Sequence, residues 1–147
     1  LGGVTMEIKE ITPSEYKVPK RYWRGVVVGD LVLLSGTGGI DPETDTVLPT
    51  IEEQAEMVFQ RIVRSLKVAG TSPEYVIRRT TYLVDPLKNI RVVGEIEKKY
   101  LPYPKASSTV GVTALARPGM LIEVDIMAIK PKKRKSNRGK ARHGRRS

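Results

Sequence analysis

Glu123 and Asp125 are the residues of this sequence best spaced for proton-transfer chemistry. They stand two apart in an aliphatic run, Leu121–Ile129. On a β-strand alternate side chains leave the same face, with α-carbons about 6.6 Å apart. A carboxyl group beside a second carboxylate, or drawn out of water, keeps its proton to higher pH than usual. Near neutrality it can then both give and take a proton. The competing reading is structural, because an antiparallel strand with one wet face also alternates apolar and polar residues. Other chemistries have fewer means here. There is no cysteine, which removes thiolate nucleophiles, disulfides and cysteine-based metal sites. The single histidine, His143, lies in a basic tail, which argues against a Ser-His-Asp triad and against a histidine metal site. Gly36-Thr37-Gly38-Gly39 follows a strand-like run but lacks the lysine and the helix start of a phosphate-binding P-loop.

Carboxylates placed this way need a sheet, and the pattern of the chain predicts one. Val4–Ile11 reads as a first strand, and Gly25–Ser35 as a hairpin turning at Gly29-Asp30. Both arms are apolar on consecutive positions, so both faces of the sheet are expected to be covered, one by helices and the other by a partner subunit. Gly36–Pro49 reads as a turn-rich loop. Thr50 and Glu53 then have capping-box spacing. Ile51, Ala55, Val58, Ile62, Leu66 and Ala69 fall on one helical face, which Gly70 closes as a left-handed cap with Pro73 beyond. Tyr75–Val84 alternates as a strand. Asp85-Pro86 offers an N-cap and a favoured first helical residue, and Leu87, Ile90, Val93, Ile96 and Tyr100 mark a second amphipathic helix. Ser108–Leu115 and Leu121–Ile129 are the last two strands, joined by a turn at Pro118-Gly119. The order predicts an α+β fold with two helices on one face of a mixed sheet.

A length of 147 residues fits about one domain. With 39% hydrophobic and 29% charged residues the chain has the makings of a globular core. No apolar run approaches the roughly 18 residues that span a bilayer, so no membrane partner is expected. The first ten residues lack the basic start and apolar stretch of a secretory leader, and we expect a cytoplasmic protein. The formal charge of +10 sits in one place: residues 130–147 hold ten of the 26 Lys/Arg and no acid, leaving sixteen bases to balance sixteen acids. We read 1–129 as the domain and 130–147 as a disordered basic tail. Such a tail is either a solubilising terminus or a salt-sensitive, sequence-independent contact to nucleic acid. It has no aromatic residue on which bases could stack.

Four segments, in order and at compatible spacing, carry a resemblance to the YjgF/Rid (reactive intermediate deaminase) family. Tyr22-Trp23-Arg24-Gly25, running on to Gly29, resembles the family's GPYSQAV-x-x-G segment, with Lys20-Arg21 in place of Gly-Pro. Ser35-Gly36 and the later Ile40-Asp41-Pro42 resemble its SGQ-x-x-x-DP loop, with Thr37 for the glutamine. Gln54 and Leu66–Gly70 resemble the helix that closes on AAG, and Ile122–Asp125 resembles the acidic last strand. The resemblance covers about residues 5–129.

It implies a chorismate-mutase-like subunit, a homotrimer with clefts between subunits, and hydrolysis of reactive enamines and imines to 2-oxo acids and ammonia without metal or organic cofactor. It further implies that Glu123 handles the water, while Asp125 keeps its solvent-facing reading. Tyr22, Ser35 and Gly36 would line the cleft, Gly36 in a turn presenting backbone N–H groups. The family's best-known branch holds the substrate carboxylate with an arginine, whose place here falls on Ser107 or, counted from Pro104, on Ala106. Neither can make a bidentate pair with a carboxylate. Lys105, two before Ser107 and so on its face of a strand, and Arg24, next to the family's tyrosine, are the candidate cations to compensate, so the small-molecule substrate is expected to differ. Members of the family have also been described as endoribonucleases, and an RNA-binding or purely metabolite-binding trimer stands as the alternative.

Overall fold

The computed structural model describes residues 2–3, 6–17, 21–103 and 105–132. The elements are β1 (Ile8–Ile11), β2 (Gly25–Val28), β3 (Leu31–Gly38), β4 (Ile40–Asp41), β5 (Thr46–Val47), α1 (Ile51–Ala69), β6 (Val76–Val84), α2 (Pro86–Tyr100), β7 (Ala106–Val112) and β8 (Ile122–Ile129), with a short 3-10 turn at Pro73–Tyr75. The main sheet runs β1-β2-β3-β8-β6-β7. All its pairs are antiparallel except β6 with β7, the two strands joined by α2. A helical crossover is what a parallel pair requires.

Helix α1 forms as its sequence predicts. The Thr50 hydroxyl accepts from the Glu53 N–H while the Glu53 carboxylate accepts from the Thr50 N–H, a complete capping box. Gly70 ends the helix at φ 83°, where a Cβ would be strained, and its N–H is bonded to the last carbonyls. Ala55, Val58, Phe59, Ile62 and Leu66 are fully buried against Val32, Ile122, Val124 and Ala128 of the sheet. Both helices lie on this one face.

The second helix differs from its expected face. Val93 and Ile96 are buried, but Leu87 is 97% exposed and Ile90 is also exposed. Their place on the inner face is taken by Asn89, whose amide donates to the Val84 carbonyl at 2.8 Å and so ties the helix start to the end of β6. Asp85 occupies the N-cap position but with φ 46° and without a side-chain capping bond; its carbonyl receives the Lys88 and Asn89 N–H groups instead. Three boundaries also move. β3 continues to Gly38 beyond the expected Ser35, because Thr37 and Gly38 still pair with β8. Within the expected loop, Ile40–Asp41 and Thr46–Val47 form a small hairpin. β7 begins at Ala106 and ends at Val112, and β6 separates it from β8. The described part of the first strand is Ile8–Ile11, and the tail beyond Lys132 lies outside the described residues.

Candidate active site

The face of the sheet away from the helices gathers the candidate site residues. Along β8 the residues Ile122, Val124, Ile126 and Ala128 are buried under the helices, so Glu123, Asp125 and Met127 point the other way and are half-buried. Register with β6 sets Tyr82 beside Glu123, Thr80 beside Asp125 and Arg78 beside Met127. On the other side, β3 contributes Leu33 and Ser35. The two strands flanking β8 are both irregular here. On β3 the pairing slips between Leu34 and Thr37, so that Ser35 and Gly36 together oppose Asp125. On β6 it slips between Val76 and Arg78. Bulges of this kind re-aim side chains and gather next to active sites. Between them lies a cavity of about 330 Å³ lined by Ser35, Gly36, Arg78, Thr80 and Asp125, with Leu33 and Met127 as apolar walls.

Gly36 makes room for Glu123. A Cβ built on Gly36 would overlap the Glu123 carboxylate oxygen, lie 2.9 Å from its Cδ and stand 3.2 Å from Asp125 Oδ1. The carboxyl of Glu123 therefore rests against bare backbone at the cavity's edge. Burial pushes its pKa above the ordinary carboxylate value, the Asp125 charge adds to the rise, and the positive charge of Arg24 opposes it. Asp125 is held differently: the Tyr82 hydroxyl donates to its Oδ2 at 3.1 Å, which in turn raises the Tyr82 pKa. One carboxyl is thus adjusted toward neutrality, and the other is fixed in place by a phenol.

The bulge is clamped from behind by two buried arginines. Arg24 donates to the Gly36 carbonyl and to Thr37 Oγ1, both at 3.2 Å, and its guanidinium lies 5.8 Å from the Tyr22 ring centre. Arg61 of α1 donates to the Gly38 carbonyl at 2.9 Å and stacks over Tyr16. Among the described residues Arg61 Nε has no partner, and burial, with Arg24 close by, lowers the Arg61 pKa to about 10. Gln54, fully buried, adds a third support: it donates to the Leu48 and Gly119 carbonyls and accepts from the Leu121 N–H, each at 2.8 Å, fixing the approach to β8.

The expected site residues are therefore dispersed to different degrees. Glu123, Ser35 and Gly36 come together with Asp125. The Ser35 hydroxyl is engaged with the Trp23 carbonyl at 2.6 Å. Arg24 sits directly behind the bulge, 5% exposed. Tyr22 is an exposed ring over Arg24, not a wall of the cavity. Ser107 pairs with Arg79, whose guanidinium is ion-paired 2.8 Å from Glu97 of α2, so Ser107 lies on the helix side of β7. Lys105 reaches the Glu74 carbonyl at 3.4 Å. Ala106 is on the cavity side, followed by Ser108. Sequence reasoning missed Arg78, Thr80, Tyr82 and Ser108. The signal was present in the alternation of Tyr75–Val84, but only the strand order says which face of β6 meets β8. Among the described residues no cluster of His, Asp and Glu is arranged to hold a metal ion, and no helix is long and apolar enough to cross a membrane.

Comparison with known proteins agrees with this architecture. The family described as endoribonuclease L-PSP matches residues 12–130. A RutC family protein of Saccharolobus solfataricus is 38% identical over 128 residues, which cover 84% of this chain and 99% of that protein. Reactive Intermediate Deaminase A, chloroplastic, of Arabidopsis thaliana is 37% identical over 112 residues, covering 73% of this chain and 59% of that longer protein. Among solved structures, RidA from an Antarctic Psychrobacter bacterium matches with a TM-score of 0.75 at 31% identity, covering 82% of this chain and 98% of that one. The chain belongs to the YjgF/Rid family, the endoribonuclease L-PSP family of its matching profile.

Proposed function

We propose that this protein is a Rid-type deaminase that hydrolyses imines, and the enamines in equilibrium with them, derived from 2-amino acids. The observation that carries the reading is the Glu123 carboxyl, raised in pKa by burial and by Asp125 and seated against Gly36, itself a lining residue of a small cavity. In its ionised form Glu123 takes a proton from water as the oxygen adds to the imine carbon. It returns that proton to the nitrogen to give a carbinolamine, then carries the carbinolamine's hydroxyl proton to the same nitrogen, whereupon the C–N bond breaks, the carbonyl forms and ammonia leaves the 2-oxo acid. A single carboxyl can carry both transfers because its pKa lies closer to neutrality than that of a free glutamate. Asp125, held by the Tyr82 hydroxyl, is the neighbour that adds to the rise at Glu123. These residues supply the chemistry without a cofactor.

We further propose that the working form is a homotrimer whose subunits meet over the uncovered sheet face and enclose the site between them. Leu31, Leu33 and Met127 line that face only half-buried, and Val110 and Ile129 are exposed. Apolar surface of this kind normally meets a partner. Enclosure would drain water from the cavity and strengthen the electrostatics that lift Glu123.

A second reading rests on the tail's charge and on the description of the matching family, an endoribonuclease. Ten Lys/Arg in residues 130–147 suit weak, sequence-independent association with nucleic acid. The two readings separate in one comparison. Ammonia release from 2-iminobutanoate, generated in situ from the 2-amino acid by an amino-acid oxidase, should exceed the spontaneous rate and be little changed by 0.5 M salt, where the Debye length falls to about 4 Å. RNA retention should vanish at that ionic strength. An imine rate equal to background would remove the deaminase reading.

A further inference from the structure

We propose that Arg78 is the residue that holds the ligand's anionic group, so that the cavity takes a small molecule with a carboxylate at one end and its reacting carbon toward Glu123. The inference deepens the deaminase reading by naming the anchor. It rests on that reading only for the identity of the reacting group, since the carboxylate site itself is argued from the cavity.

Arg78 is the one cation among the described residues lining the cavity. The slip in pairing after Val76 turns its side chain onto the face shared by Thr80, Tyr82, Glu123 and Asp125. From β6 the guanidinium reaches across to β7 and donates through Nη2 to Ser108 Oγ at 2.9 Å. Ser108 pairs with Thr80, which itself pairs with Asp125, so this contact holds the guanidinium over β6 and β7, level with Asp125 along the sheet. The positive charge of Arg78 is felt at Tyr82, where it opposes the rise in pKa.

The guanidinium is aimed but not neutralised. Arg78 forms no ion pair among the described residues, and all sixteen acids of the sequence lie within them. Asp125, the one acid among the described residues lining the cavity, is already engaged by the Tyr82 hydroxyl. Ser108 occupies one of the five N–H donors that an arginine carries, which leaves the fork able to bind a carboxylate bidentately. The other cations near the bulge are not available in this way. Arg24 and Arg61 are buried and bonded to backbone carbonyls, and Lys105 is turned toward Glu74.

The size of the cavity favours a small ligand. At about 330 Å³ it stands at the low end of ligand sites, which suits a short-chain 2-oxo or 2-imino acid. Leu33 and Met127 would cover the aliphatic part of such a molecule. With its carboxylate on Arg78, the directly bonded reacting carbon would sit over the cavity floor formed by Asp125, turned toward Glu123. Without a positive charge at Arg78, the acidic floor would repel the same ligand.

The test uses the full-length protein and the stable product analogue 2-oxobutanoate, with binding read by titration calorimetry or amide shifts. Arg78→Ala should weaken binding about ten- to a hundredfold, the scale of hydrogen bonds to a charged group. Arg78→Lys should recover part of the loss, since an ammonium supplies charge without the fork. Ser108→Ala, which leaves the charge but removes its guide, should weaken binding by a smaller factor. Butanone, the same molecule without the carboxylate, should bind wild type and Arg78→Ala alike. In turnover of 2-iminobutanoate, KM should rise by the same factor as the binding loss while kcat changes little. Arg78-dependent binding of 2-oxobutanoate by a protein that does not hydrolyse the imine would uphold the anchor and remove the deaminase reading. Equal affinity in wild type and a folded Arg78→Ala, or no binding by wild type at millimolar concentration, would overturn the anchor whatever the imine result.

Discussion

Glu123 and Gly36 act as a pair, because the first can sit where it does only while the second has no side chain. Gly36→Ala should displace the carboxyl rather than unfold the protein, since the far end of a glutamate can swing away. We expect kcat/KM for the imine to fall by about tenfold or more, the usual scale for misplacing a catalytic group, with the circular dichroism spectrum unchanged. The raised pKa of Glu123 has a consequence for stability as well. A carboxyl whose folded-state pKa lies above its unfolded value favours the folded protein while protonated, and that advantage is lost as pH rises from the unfolded value of 4.5 through the folded one. Glu123→Gln should therefore melt at a higher temperature than wild type at pH 8, with the gap closing toward pH 4. The same substitution should remove the acid limb of the pH–rate profile together with most of the rate. A wild type that gains stability between pH 5 and 8 relative to Glu123→Gln would contradict the assigned environment.

The elements that position this pair are fixed from the side opposite the cavity. Gln54 ties α1 to Leu48, Gly119 and Leu121 with three hydrogen bonds while fully buried. Gln54→Leu would keep the volume but strand two carbonyls and one N–H, and we expect a loss of about 3 kcal/mol, measurable by urea unfolding. Helix α1 was legible in the sequence because its capping box, its apolar spacing and Gly70 all depend on residues within one turn of each other. The shared face of Glu123 and Asp125 was legible for a similar reason, since a strand's period of two is purely local. Arg78 was not. Its placement depends on β6 lying between β8 and β7 and on a slip of register at its start, both set by contacts between segments distant in sequence. The faces of α2 illustrate the same limit: Leu87 and Ile90 fit the helical pattern, but Asn89 takes the inward position because the end of β6 offers it a carbonyl.

At the scale of the whole molecule, one face of the sheet is buried by helices and the other carries the site. A homotrimer closing over the second face should elute with a light-scattering mass near 49 kDa, three times the 16.4 kDa chain. A protein cut after Lys132 should still elute as a trimer, at three times its own shorter chain mass, and keep its imine turnover, because the sheet ends before the cut and Lys130 still bonds to the Asp30 carbonyl. It should lose any salt-sensitive retention on RNA. A fall in imine turnover on removing the tail would give the basic segment a part in the chemistry that this account does not assign. The most direct measurement is the rate of 2-iminobutanoate hydrolysis by wild type and by Glu123→Ala at neutral pH. We predict a wild-type rate clearly above the spontaneous one and a fall of about a hundred- to ten-thousandfold on losing the carboxyl, the usual contribution of a general acid–base. A wild-type rate at background, or full activity surviving in Glu123→Ala, would contradict it.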